Sequence, residues 1–117
     1  MAITFDTVRK IGLALPGVEE GTTFGAPALK LKGQMMTCIP THKSAEPNSL
    51  AVRMDFEERD DLLNEAPEKY YVKEHYLNYP VVLVRLQRIT AAELKDLLNM
   101  SFRFVSRKGR RQGSPTN

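Results

Sequence analysis

The chain has 117 residues, one cysteine and a formal net charge of +3, which fits a single domain that needs no covalent staple. A single cysteine excludes an internal disulfide, and Cys38 stands among apolar neighbours, so we expect a buried, reduced thiol rather than a nucleophile.

The N-terminal segment carries Asp6 and lacks a long apolar core, and the longest strongly apolar run, 80–84, is far short of the about 20 residues that span a bilayer. These features predict a cytoplasmic protein that does not enter a membrane.

The basic excess lies in the last eleven residues, which carry four cations: Arg107, Lys108, Arg110 and Arg111. Without those four charges, the total of +3 becomes −1 for residues 1–106. Glycine, serine and proline accompany the cations, a composition typical of disordered termini. We therefore predict one ordered domain over residues 1–106 and a basic, disordered tail over 107–117.

The first predicted element is a helix. Thr4 precedes Phe5 and an apolar pattern at helical spacing, which predicts that the Thr4 hydroxyl caps this helix. Pro16 and Gly17 end the helix, because proline restricts the residue before it and glycine frees the exit. Residues 18–21 are then expected to form a short acidic connection.

Residues 22–39 predict an antiparallel hairpin. Leu29 and Leu31 alternate with lysines, which is the period of a half-buried strand. A turn over residues 32–34 is predicted because its glycine can take the positive φ that a tight hairpin needs. Pro27 cannot donate to a strand ladder, which favours an edge position or a bulge for the first strand.

The rest of the chain predicts one more loop, three strands and two helices. In chain order these are a turn-rich loop over 40–49, a strand over 50–55, a helix that Asp55 caps and Pro67 ends, strands over 70–72 and 81–87, and a helix that Thr90 caps. The predicted order is α-β-β-β-α-β-β-α. This order indicates an α+β fold of two layers, in which an antiparallel five-stranded sheet carries the helices on one face.

The sequence contains no strong catalytic, cofactor or metal motif. It has no phosphate-binding glycine loop, no paired cysteines and no nucleophile elbow. The two histidines, His42 and His75, are separated by a predicted helix and lack partners at metal-ligand spacing, so we expect solvated loop residues. The sequence therefore predicts a protein that is not an enzyme and holds neither cofactor nor metal.

Cations alternate along the predicted strands. If their side chains share one face of the sheet, they could contact phosphates, whereas the alternative is an ordinary solvated face. Aromatic residues in the segment 75–80 could form a recognition patch or could pack at the sheet edge. The candidate contacts for a nucleic acid or another ligand are Lys30, Lys32, Arg53, Arg85, Arg88, His75, Tyr79, Arg107, Lys108, Arg110 and Arg111.

Four stretches carry a family resemblance: residues 24–27 of the hairpin, residues 32–36 at its turn, the strand at Val52-Arg53, and residues 97–105 of the last helix. In order and spacing they resemble the MmcQ/YjbR-like family from the first helix to Ser106. The resemblance implies a two-layer α+β fold and a DNA-binding protein with a double-wing arrangement, as members are often described. The family often carries tryptophan in two places where this chain has none, and the resemblance transfers no catalytic residue.

Our leading hypothesis is a small, non-enzymatic binding domain with nucleic acid as its ligand, in which the hairpin tip at Lys32-Gly33 approaches a groove. One alternative is an interaction module that binds a protein partner or forms a homodimer through an open sheet face or an edge strand. Another alternative is a small-ligand pocket, which would be lined by His75, Tyr76, Tyr79 and Arg53.

Overall fold

The computed structural model describes residues 3–112, and the side-chain surroundings of residues 3–107. Three α-helices and six β-strands form this described part of the chain. In chain order they are α1 (Phe5–Leu13), β1 (Val18–Thr23), β2 (Ala26–Leu31), β3 (Gln34–Cys38), β4 (Ser49–Arg53), α2 (Phe56–Glu65), β5 (Tyr70–Tyr71), β6 (Val81–Arg85) and α3 (Ala91–Gln112). Short 3-10 turns, Glu74–Tyr76 and Leu86–Arg88, precede and follow β6.

The strands form one antiparallel sheet in the order β1-β2-β3-β4-β6-β5. The predicted α+β class is confirmed, but the prediction of five strands was wrong, because residues 18–21 belong to β1 and not to a connection. Val18 is buried, and Glu19 lies opposite Lys30, a favourable cross-strand pair. β1 lies at the edge of the sheet, where charged side chains stay solvated. Acidic residues are therefore compatible with a strand at this position, although they led to the prediction of a connection.

Both β1–β2 and β2–β3 are joined by two-residue turns. In the first turn Phe24 and Gly25 have φ of 52° and 80°, and in the second Lys32 and Gly33 have φ of 53° and 79°. Two successive positive φ angles give the turn whose twist matches the flanking strands. The turn predicted over residues 32–34 is thereby confirmed for Lys32 and Gly33, whereas Gln34 already belongs to β3.

The edge position predicted for Pro27 was wrong, because β2 lies between β1 and β3. Pro27 is the second residue of its strand, and its carbonyl accepts a hydrogen bond from the Ile39 N–H at 3.0 Å. A proline near the start of a strand removes one donor without interrupting the rest of the ladder. The bulge in the ladder between β2 and β3 lies further along, at the step from Leu29 to Lys30.

The strand predicted over 81–87 forms as β6, but it ends at Arg85 because the chain then enters a 3-10 turn. It lies between β4 and β5, so the sheet departs from a simple meander at this strand. Val82, Val84 and Leu86, which the alternation predicted to point inward, are buried.

The main core fills the space between the helices and one sheet face. Residues of α3 at helical spacing pack on the sheet, and Val8 of α1 joins them. The members from α3 are Leu94, Leu97, Leu98 and Val105, and those from the central strands include Leu29, Met36, Leu50, Val52 and Val84. All are at most 3% exposed, so this face of the sheet is closed by the helices.

Two of the three predicted helix caps are confirmed. The Asp55 carboxylate accepts from the Glu57 N–H at 3.1 Å, and Thr90 and Glu93 form a reciprocal capping box. The predicted role of the Thr4 hydroxyl was wrong: Thr4 occupies the N-cap position, but its side chain makes no capping hydrogen bond among the described residues.

The last helix is longer than predicted, because α3 continues past Ser106 to Gln112. Residues 113–117, and the side chains of Lys108, Arg110 and Arg111, lie outside the described residues, so the disordered tail stays a prediction there. No helix in the described 3–112 range is both long and apolar enough to cross a bilayer.

Candidate ligand pocket on the outward sheet face

The sheet face that points away from the helices, called here the outward face, carries a second and smaller apolar cluster. Ala28, Cys38, Ala51 and Leu83 come from four strands and are buried in this cluster. Ala28, Ala51 and Leu83 each neighbour a residue of the main core along their strands, which places them on the opposite side of the pleat. Cys38 shares their face because it lies directly opposite Ala28 and Ala51 in the ladders. Three of these four side chains are small, so they leave space above the centre of the outward face.

Two loops fold over the outward face. The 39–48 loop joins β3 to β4, and the 72–80 loop joins β5 to β6. They meet at His42 and His75, whose rings are stacked with centroids 3.7 Å apart and planes 9° apart. The ring of Tyr76 stands perpendicular to His75 at 4.8 Å. The histidines were expected to be solvated loop residues. Both lie in loops and His75 is exposed, but His42 is half-buried and the stacked rings join the two loops.

The 39–48 loop is also tied to the sheet by Arg85. The Arg85 guanidinium donates to both carboxylate oxygens of Glu46, at 2.9 and 2.8 Å, and to the Pro67 carbonyl at 3.0 Å. It lies over the Tyr71 ring at 4.4 Å, and the Glu46 N–H donates to the Tyr71 hydroxyl at 2.7 Å. Arg85 beside Glu46 lowers the pKa of that carboxyl. Arg85 is therefore a structural anchor of the loop.

A cavity of about 530 Å³ remains between the outward face and the two loops. This volume is within the range of small-molecule sites. Phe24, from the turn between β1 and β2, stands at the mouth of the cavity with 91% of its surface exposed. The cavity is lined by Thr23, Phe24, Met35, Cys38, Ile39, Pro40, Thr41, His42, Lys43, Ala51, His75, Tyr76 and Val81. We call it the outward-face pocket.

The polar groups of the pocket suit a ligand that accepts hydrogen bonds. The Ser44 N–H donates to Nδ1 of His42 at 3.1 Å, so a neutral His42 ring carries its proton on Nε2. The pKa of His42 is lowered, chiefly by burial and further by His75 and Lys43, which favours that neutral form. Lys43 adds an exposed ammonium group, and among residues 3–107 no aspartate or glutamate lines the pocket. The pocket therefore offers donors and positive charge without a competing carboxylate.

Two further lining residues, Cys38 and Tyr76, carry groups that ionise less readily than usual. Cys38 is a free, buried thiol, as predicted, and burial raises its pKa to about 11. The pKa of Tyr76 is also raised, chiefly by burial. A thiol and a phenol that stay protonated are weak nucleophiles. Within residues 3–112, no group of three or more His, Cys, Asp or Glu is placed to hold a metal ion.

The predicted cationic strand residues fall into two groups. Arg85 and Arg88 lie at the end of β6 that is next to Ser49, whereas Lys32 and Arg53 lie at the opposite end of the sheet. Arg53 is half-buried, donates to the Met35 carbonyl at 3.2 Å and lies 5.6 Å from the Phe104 ring of α3.

The other predicted cations are Lys30, which lies along Gly21 of β1, and Arg107, which is exposed on α3. Because Arg53 contacts Phe104, the C-terminal part of α3 lies at the same sheet end as the Lys32 turn. The cations of the strands therefore lie at both ends of the sheet. The basic C-terminal part of α3 lies at the end that carries the Lys32 turn.

The predicted ligand pocket shares two residues with the outward-face pocket, His75 and Tyr76. Tyr79 packs near His75, with centroids 6.4 Å apart, but it is not a lining residue, and Arg53 points to α3 instead. Sequence reasoning missed Phe24, His42, Lys43, Cys38 and Ala51 as pocket residues. The sequence predicted a turn-rich surface loop there and carried no signal that this loop folds back over the sheet.

Comparisons with known proteins agree on one family. Residues 13–104 match the model of the YjbR family. The chain is also similar to the crystal structure of Deinococcus radiodurans protein DR2400, with its DUF419 domain, at a TM-score of 0.73 and 26% identity over 91% of this chain and 80% of that chain. The comparison with curated proteins found no match.

Proposed function

The chain belongs to the YjbR family, and we propose that this member is a non-enzymatic binding protein that holds a small organic acid in the outward-face pocket. One observation carries the proposal: a cavity of about 530 Å³ is lined by the buried residues Cys38 and Ala51 and also by Lys43 and His42. An apolar pocket with a few convergent polar groups is the usual architecture of a small-molecule site.

The floor and the rim have separate roles in this proposal. Cys38 and Ala51, each at most 6% exposed, provide an apolar surface on which the body of the ligand buries its hydrocarbon. Lys43 and the Nε2–H of His42 donate to the acid group of the ligand at the rim. A carboxylate at the rim gains charge-assisted hydrogen bonds, and none of the described lining residues is an acid that would repel it.

A calorimetric titration with naphthoate and with undecanoate, two organic acids with the same number of carbon atoms, tests the proposal. We expect at least one acid to bind at a single site, and Lys43→Met to weaken that binding about two- to fivefold, as for an exposed ion pair. Lys10→Met is the matched control, because Lys10 is an exposed lysine on α1, in the helix layer. Absence of binding by both acids, or equal weakening by the two variants, would contradict the proposal.

Nucleic-acid binding, the leading expectation from the sequence, stays a second candidate with a narrower basis. It is favoured by one observation, that the Lys32 turn and the basic part of α3 lie at the same end of the sheet. Arg85 supports it less, because its guanidinium is already paired with the carboxylate of Glu46 in the same chain. The alternative of a protein partner or homodimer likewise stays a prediction.

Titration with duplex DNA at low and at moderate salt tests this second candidate. Binding through phosphates is expected to weaken steeply as salt rises and to weaken further in Lys32→Met, with Arg85→Met unchanged. Absence of DNA binding at low salt, or an affinity that does not change with salt concentration, would refute nucleic-acid binding.

A further inference from the structure

Phe24 occupies a position that its turn alone does not explain. Its φ of 52° lies in the left-handed region, where an aromatic side chain is unfavourable and asparagine or glycine is preferred. The side chain is also 91% exposed, more than any other large apolar residue of the described chain. Phe24 thus carries both a backbone cost and a solvation cost, and the fold gains no core packing in return.

The location of Phe24 supplies a reason for both costs. Phe24 is among the residues that line the outward-face pocket, and so are three further aromatic residues, His42, His75 and Tyr76. Four of the thirteen lining residues are therefore aromatic. Aromatic rings gain free energy from a planar partner through offset or edge contacts, in addition to the gain from buried area.

We propose that the ligand of the outward-face pocket is a planar aromatic acid, with Phe24 packing against the ring and Lys43 binding the acid group. This inference rests on the proposed function and adds the ligand class to it. An aliphatic acid of the same carbon number would bury similar apolar area, but it would lack the ring contacts. The pocket should therefore prefer the aromatic acid, and the preference should depend on the ring of Phe24.

The experiment compares the affinities for naphthoate and undecanoate in wild-type protein and in Phe24→Leu. Leucine keeps a β-carbon at positive φ and an apolar side chain, so the turn and the buried area change little. We expect Phe24→Leu to weaken naphthoate about two- to tenfold, the range of an aromatic pair, and to leave undecanoate within about twofold. Phe24→Tyr, which keeps a ring, should retain the naphthoate preference.

Phe56→Leu is the matched control, because Phe56 is an exposed phenylalanine on α2, and it should alter neither affinity. Equal weakening of both acids by Phe24→Leu, or a wild-type protein that binds undecanoate as tightly as naphthoate, overturns the aromatic class while the proposed binding function stands. If neither acid binds to the wild-type protein, both the function and the ligand class are wrong.

Discussion

Arg85 was predicted to contact phosphates, but its contacts indicate that it stabilises the fold. Replacing it with methionine removes two hydrogen bonds to the Glu46 carboxylate, one to the Pro67 carbonyl, and a cation–π contact with Tyr71. The Arg85 and Glu46 side chains are 28% and 39% exposed, so solvent screens the ion pair to about 1 kcal/mol or less. The ring contact contributes about 0.5–1 kcal/mol more. We therefore expect Arg85→Met to lower the free energy of unfolding by about 1–2 kcal/mol.

Urea unfolding followed by circular dichroism measures this loss. Arg88→Met is the control, since Arg88 is exposed three residues further along, and it should change stability by less than about 0.5 kcal/mol. A cycle of Arg85→Met, Glu46→Gln and the double variant should give a coupling of about 0.5–1 kcal/mol. If Arg85→Met is no less stable than Arg88→Met, or if the cycle shows no coupling, Arg85 does not anchor the 39–48 loop.

Three further predictions concern single groups. The folded-state pKa of His42 is lowered from its ordinary 6.5, so the unfolded chain binds a proton more readily. The stability should therefore be complete above about pH 6.5 and fall as pH decreases through the folded-state pKa. His42→Asn should flatten this dependence of the urea-unfolding free energy on pH, and an unchanged dependence would contradict the shift. Cys38, with a pKa of about 11, should react with a thiol reagent at mildly alkaline pH roughly a hundredfold more slowly than free cysteine, and a rate like that of free cysteine would mean that the pocket floor is open. Thr90→Ala breaks the capping box with Glu93 and should cost about 1 kcal/mol in thermal unfolding, whereas no change would show that the cap is dispensable.

The parts of the fold that follow from local physics were predictable from the sequence. Asp55 and Thr90 cap helices through bonds to amides two or three residues away, and Gly33 permits a turn that requires positive φ. Val82 and Val84 face the core because alternate residues of a strand point to the same side of the sheet, and the apolar set takes the buried side. Each of these features depends on a few neighbouring residues.

The parts that depend on long-range contacts were not predictable. Residues 18–21 were predicted to be a solvated connection because Glu19 and its neighbour are acidic. They form a strand because they pair with β2, and the pattern of an edge strand's own residues does not reveal that pairing. Arg85 was assigned to an open basic face because its carboxylate partner, Glu46, is 39 residues away. The stacking of His42 on His75 likewise follows from the meeting of two loops, and nothing in either segment predicts that meeting.

The most direct test of the account follows the backbone amides of the protein by two-dimensional NMR as naphthoate is added. If the outward-face pocket is the binding site, saturable shifts should appear at Cys38, Ala51 and His75, which line it, and should be absent at Lys10 on α1, in the helix layer. No shifts at all, or shifts confined to the Lys32 turn and the end of α3, would contradict the claim that this pocket is the functional site.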